Sequence, residues 1–277
     1  MKWMVLAGVA LAVMGCSSAN EMSDSIGTDP AEAVASEAGA QDIADPAAPA
    51  GEERTVEVKN EAITFSYSWP APAQAIEGLN AELEARADAA KAEYLGYAEN
   101  AKADAETGDY TFMPHSYDAG WEVAADISDF LSLGGGRSTY TGGAHGNSDY
   151  DSLLWDKTAA DLIEPVDLFT SPTSFRQAVR EFYCSRLMDA RAERIGKEMV
   201  RGTDIYESCP ELSELAIVMV SENGETFDRI DMIAAPYVAG SYAEGSYTVE
   251  MPVDSAVRYA VKPEYKDAFA PASSAAQ

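Results

Sequence analysis

The sequence predicts an α+β fold of one or more antiparallel sheets with two long helices, preceded by an export signal and a disordered acidic tether. Three observations predict it. Short β-branched and aromatic stretches of near-alternating polarity recur from Thr55 onward, the pattern of half-buried strands. Two much longer segments place apolar residues at three- and four-residue steps, the pattern of amphipathic helices. The strands come in groups instead of alternating one for one with helices, which argues against an all-parallel sheet.

The chain opens on Lys2 and then an uncharged apolar run ending at Gly15, the n-region and h-region of an export signal. The run is shorter than the roughly 20 residues that a membrane-spanning helix needs. Val13-Met14-Gly15-Cys16, with Leu11 just upstream, resembles a bacterial lipobox, in which cleavage falls before the cysteine. The resemblance implies a signal peptide over residues 1–15, and a Cys16 carrying diacylglycerol and a further acyl chain of the palmitate type. Several acyl chains anchor a protein stably where one holds it only reversibly. Ser17, where an Asp would direct retention, points to the outer membrane facing the periplasm. The expected state is therefore a lipoprotein of the cell envelope.

Residues 16–53 read as the lipidated cysteine and its tether. After Cys16 the segment is built mainly from Ala, Pro, Ser, Gly and nine acids, its only large aliphatics are Met22, Ile26, Val34 and Ile43, and it has no Lys or Arg. Low hydrophobicity with charge of one sign does not repay the entropy of ordering, so a disordered, extended tether is expected.

The α+β domain spans 54–277, with its elements between Arg54 and Phe269. Thr55–Lys59 and Ile63–Trp69 are strands. A helix follows, with Ile76, Leu79, Leu83, Ala87, Ala90, Tyr94, Tyr97 and Ala101 along one stripe. At this spacing the Tyr94/Tyr97 pair reads as core packing. Gly120–Ile127 and Asp129–Leu133 alternate like strands, Gly134-Gly135-Gly136 punctuates, and another strand follows near Tyr150–Trp155. The second helix covers about Ser174–Lys197, with Phe175, Val179, Phe182, Tyr183 and Leu187 on its apolar side. Leu215–Val220 and Phe227–Ile233 form a hairpin in which Asn223-Gly224 suits a two-residue turn. Strand Ser246–Met251 and helical turns near Asp254–Tyr259 complete the domain.

Charge limits the partners. The chain holds 47 Asp and Glu against 19 Lys and Arg, a formal charge of -28. Without the tether acids and Lys2, the domain keeps 38 acids against 18 bases, so the acidity belongs to the folded part. Nucleic-acid binding draws its affinity from basic residues displacing counterions, and this surface opposes it. Cationic partners are favoured instead. Two histidines in the whole chain leave no basis for a His-rich metal site, and no metal or other cofactor is expected.

Cys184 and Cys209 are the only cysteines of the exported domain, 54–277. An even pair in an oxidising compartment reads as a disulfide. A catalytic thiol would need a base or a basic cluster to lower its pKa, and neither cysteine has one nearby in sequence.

Tyr140-Thr141-Gly142-Gly143-Ala144-His145-Gly146 is the most unusual stretch. Paired glycines permit positive φ or close backbone approach, and the His could serve as base or ligand. It lacks the Gly-Lys-Ser/Thr ending of a phosphate loop and the Gly-x-Ser-x-Gly of an esterase elbow. Together with Val166-Asp167-Leu168-Phe169, Pro236-Tyr237-Val238-Ala239-Gly240, Tyr242-Ala243-Glu244-Gly245 and Met251-Pro252, it resembles the RsiV-type extracytoplasmic domain family. That family occurs as the outer part of lysozyme-sensing anti-sigma factors, beside some peptidoglycan deacetylases, and alone in lipoproteins. The resemblance implies a binding-type module. It does not extend to a cytoplasmic sigma-binding segment or to a deacetylase metal domain, because His115 and His145 lack the Asp and paired-His context of the latter.

Two functions remain open. One is a non-catalytic envelope lipoprotein that binds a cationic, lysozyme-like protein or a peptidoglycan component, with Tyr140, Gly142, Gly143, His145, Tyr237 and Tyr242 as the candidate contacts. His145 has no Ser, Cys or second His beside it in sequence, so its expected role is to pin the glycine turn, and no catalytic residue is assigned. The other is an envelope hydrolase acting on glycan or peptide through acidic residues that the sequence does not single out.

Overall fold

The first hairpin pairs β1 (Arg54–Lys59) with β2 (Ile63–Trp69), Val56 opposite Tyr67, in a computed structural model that describes residues 53–196, 206 and 208–271. Asn60 makes the turn: its side-chain oxygen accepts the N–H groups of Ala62 and Ile63, each at 2.8 Å. Along β2, Ile63, Phe65, Tyr67 and Trp69 are buried and the residues between them are not, the period of two that gives a strand one core face. The signal, Cys16 and nearly all of the tether lie outside the described residues. Among the described residues no helix is long and apolar enough to cross a membrane.

After the short helix α1 (Ala71–Gln74) comes α2 (Glu77–Gly108), about 48 Å long at 1.5 Å per residue. It returns the chain to β3 (His115–Asp126), which lies beside β2 and parallel to it, Phe65 opposite Tyr117. The expectation of purely antiparallel sheets is corrected here. Parallel neighbours need a long crossover, and α2 supplies it. The fold is α+β as expected, with a mixed sheet in place of an antiparallel one.

The rest of this sheet is antiparallel: β4 (Phe130–Tyr140), β5 (Asn147–Asp156) and β6 (Asp161–Ile163), giving the order β1-β2-β3-β4-β5-β6. Gly134, Gly135 and Gly136 do not break the chain but lie inside β4. A Cβ on Gly135 would come within 2.7 Å of the Trp121 ring, so a residue without a side chain lets the indole lie across the strand. Strand alternation puts Tyr67, Tyr117, Ala119, Trp121, Gly135, Arg137, Asp149 and Asp151 on one face, the face that α2 covers with Leu79, Leu83 and Ala87. A bulge between Val123 and Ala125 shifts the register, and Ala125 joins Ile127, Phe130 and Leu154 in the core on the other side.

That second core is filled by α3 (Pro172–Ile195), the sheet β7 (Ala216–Val220), β8 (Arg229–Ala234), β9 (Tyr247–Pro252), and α4 (Ser255–Ala260). Ser171 starts α3 with a reciprocal cap: its hydroxyl accepts the Ser174 N–H at 3.0 Å, and the Ser174 hydroxyl accepts the Ser171 N–H. Phe175, Val179, Tyr183 and Leu187 follow at helical spacing, all buried. Their opposites are Met219, Ile230, Met232, Tyr247, Val249 and Met251 of the small sheet. The β7–β8 connection is longer than the two-residue turn expected. It runs from Ser221 to Asp228, and the Asn223 side chain accepts from the N–H groups of Glu225 and Thr226. Cys184 of α3 is bonded to Cys209, Cα atoms 5.6 Å apart, as the cysteine count implied.

Candidate functional site

The β4–β5 loop is shaped by its glycines. Gly142 and Gly143 have φ of 92° and 99°, conformations that residues with a Cβ rarely adopt, and the Tyr140 hydroxyl donates to the Gly143 carbonyl at 3.0 Å. His145 follows, with Nδ1 2.8 Å from the Gly146 carbonyl. A carbonyl only accepts, so Nδ1 is the donor in this contact.

A second loop, between β8 and β9, meets the first. The His145 ring stacks on Tyr242, centroids 3.8 Å apart and planes 19° from parallel, and Tyr237 tilts against Tyr242 at 5.8 Å. The structure thus gathers His145, Tyr237 and Tyr242 into one surface cluster, with the Tyr140 and glycine turn at its edge. Tyr237 is exposed and adopts a φ of 72°. A non-glycine residue in this region stores about 1–3 kcal/mol of strain, which surrounding contacts must hold.

Those contacts centre on Glu244. Its Oε1 accepts from the Ser241 N–H at 2.8 Å and the Ser241 hydroxyl at 3.1 Å. Its Oε2 accepts from the Tyr247 hydroxyl at 2.8 Å and from Nε of Arg191 at 3.2 Å, and Arg191 is fully buried. Burial alone would raise the Glu244 pKa, but hydrogen bonds from Ser241, Tyr247 and Arg191 outweigh it and hold the carboxyl below its ordinary value. Burial and the neighbouring carboxylate push Tyr247 up to about 12. Gly240 is required beside this brace, because a Cβ there would lie 2.5 Å from Glu244 Oε2. Arg194 adds a bond to the Ser246 carbonyl at 2.7 Å and stands over the Tyr247 ring at 4.1 Å. The aromatic cluster is therefore mounted on a buried, charge-paired support reaching back to α3.

His115 is not part of it. It is buried at the start of β3 near Phe112, and burial lowers its pKa. Among the described residues no group of three or more His, Cys, Asp or Glu is disposed to hold a metal ion.

The sequence reading missed a concavity of about 580 Å³ between α2 and the large sheet. Tyr67, Tyr117 and Trp121 form its floor. Arg86, Glu93 and Tyr94 line it from α2, and Arg137, Asp149 and Asp151 from β4 and β5. Tyr94 packs on Tyr117 at 4.5 Å, whereas Tyr97, expected in the core, is exposed and donates to Glu93. The Trp121 indole N–H donates to the Tyr67 hydroxyl at 2.7 Å, and burial pushes Tyr67 up to about 12. Tyr150, alternating with Asp149 and Asp151, turns to the other face and donates to Ser246 at 3.1 Å.

Residues 56–148 match a family described as Deacetylase PdaC, and this segment holds most of the concavity's lining together with the glycine turn and His145. A solved DUF3298 family protein from Pseudomonas aeruginosa PAO1 superposes with a TM-score of 0.53, covering 80% of this chain and 97% of its own, at 14% identity. The chain has the DUF3298 fold. A second DUF3298 family structure, from Bacteroides fragilis, gives a TM-score of 0.45 over 73% of this chain and 90% of its own, at 16% identity. No curated protein sequence matches the chain. The DUF3298 fold and the PdaC match agree with the RsiV-type resemblance of the sequence boxes.

Proposed function

We propose that this chain is a non-catalytic binding module of the bacterial cell envelope that docks a cationic protein through Tyr237, Tyr242 and His145. The observation that carries the reading is the stacked ring cluster itself, assembled from two separate loops and held by the Arg191–Glu244 pair. Interfaces draw most of their energy from a few rigid aromatic anchors. The acidic domain supplies long-range attraction, which raises association rates with positively charged partners. A lysozyme-type muramidase is the first partner to try, since the family resemblance implies it. The sequence-based lipid anchor on Cys16 would hold the module at the membrane, and Cys16→Ser would then move the protein to the soluble fraction.

The test is a titration of the purified protein with lysozyme at about 50 and 300 mM salt, which bracket weak and strong screening. A docking site keeps measurable affinity at the higher salt. Binding that disappears there is charge attraction alone and removes the proposal. The name of the matching family favours a second reading, an enzyme acting on envelope glycan or peptide. Release of acetate from an acetylated glycan by the purified protein would establish it.

A further inference from the structure

We propose that the concavity under α2 is a saccharide-binding site, separate from the loop cluster and independent of the protein-docking reading. Its shape arises from small residues: Ala89, Ala90 and Ala119 leave space where α2 passes over the sheet. Its volume, about 580 Å³, lies inside the range of small-ligand sites, roughly 300–1,000 Å³.

The lining selects the ligand chemistry. Arg137 is paired with Asp149, and Arg86 with Asp151 at 3.4 Å and Glu82 at 2.8 Å. Each cation is already matched by a carboxylate, so an anionic ligand would have to displace an aspartate and a cationic one an arginine. A neutral ligand with many hydroxyls displaces neither. It can accept from the guanidinium groups and donate to the carboxylates, planar groups that bind two atoms at once. The aromatic component fits the same ligand. Tyr94 offers ring surface on one side, above a floor where Tyr117 packs between Phe65 and Tyr94 and where Trp121 and Tyr67 are fixed by their mutual hydrogen bond. Tyrosine and tryptophan combine an apolar body with a polar tip, and a pyranose presents an apolar C–H face bounded by hydroxyls. Burial raises the Tyr117 pKa above its ordinary value, so at neutral pH its hydroxyl is a donor.

The test is calorimetry and tryptophan fluorescence on the purified full chain with two neutral probes, chitotetraose and cellotetraose, which differ in the acetamido group. Saturable binding of either is expected, and preference for the first would assign N-acetylated sugars. Tyr94→Ala and, independently, Arg137→Gln should each weaken binding at least tenfold while circular dichroism stays unchanged. Both positions are only partly covered, so folded protein is expected from at least one. No saturable binding of either probe up to about 10 mM, weaker than the millimolar affinities of the poorest specific ligands, would overturn the proposal. So would binding that both folded variants retain in full.

Discussion

The imidazole of His145 lies flat on the ring of Tyr242, 3.8 Å between centroids, although one ends the glycine turn of the large sheet and the other belongs to the loop entering β9. The contact joins the two sheets at their loops. It also explains why the glycine turn is built as it is: positive φ at Gly142 and Gly143 lets the chain reverse and present the imidazole outward.

Tyr237 tests whether strain is held for function. Its φ of 72° suits glycine, so Tyr237→Gly should leave stability unchanged or raise it by up to about 1 kcal/mol. The same change removes an exposed ring and should weaken partner binding. Thermal unfolding and affinity measured on the same preparation check both. A clear loss of stability would show that the ring itself supports the fold.

Glu244 is the keystone of the loop support. Glu244→Ala leaves Arg191 buried without its carboxylate and should cost about 3–5 kcal/mol. The pH dependence has a definite sign. Because the folded pKa is depressed, the contribution is complete above the unfolded value near 4.5 and is lost as pH falls through the lower folded value. Denaturant titrations of wild type and Glu244→Gln should therefore differ at pH 7 and converge in acid.

Gly135 and Gly136 form an internal comparison. Gly135→Ala drives a Cβ into the Trp121 ring and should destabilise by about 1–3 kcal/mol with a change in tryptophan emission. Gly136→Ala meets nothing closer than Tyr150 at 4.0 Å and should be tolerated, within about 0.5 kcal/mol. Equal effects at the two positions would contradict the packing described.

The Cys184–Cys209 bridge spans a sequence separation of 25 residues. Loop closure of that length predicts a stabilisation of about 3.5 kcal/mol in the chain-entropy model. Reduction, or Cys184→Ala with Cys209→Ala, should lower the unfolding midpoint accordingly, and thiol titration before reduction should find neither cysteine free.

Local patterns made much of this legible. Ile63–Trp69 and the second helix were visible because their periods are written within a few residues, whereas the Ser171 cap, which starts the helix ahead of Ser174, shows only in the structure. The direction of β3 was not, since a strand carries no mark of whether its neighbour runs parallel. Gly134–Gly136 read as a break because their partner, Trp121, is found only by strand pairing. Among candidate site residues, His145, Tyr237 and Tyr242 were picked out by their boxes, and only the tertiary structure shows that their rings touch. The concavity left no linear signal at all. Its lining comes from five elements, and Tyr94 looks in sequence like any other residue of an apolar stripe.

The most direct measurement is the affinity of Tyr242→Ala for lysozyme at about 300 mM salt, where long-range attraction is screened. If the stacked cluster is the docking surface, the variant should bind at least about tenfold more weakly, a loss of about 1.4 kcal/mol, with its unfolding midpoint close to wild type. Wild-type affinity in the folded variant would contradict the account.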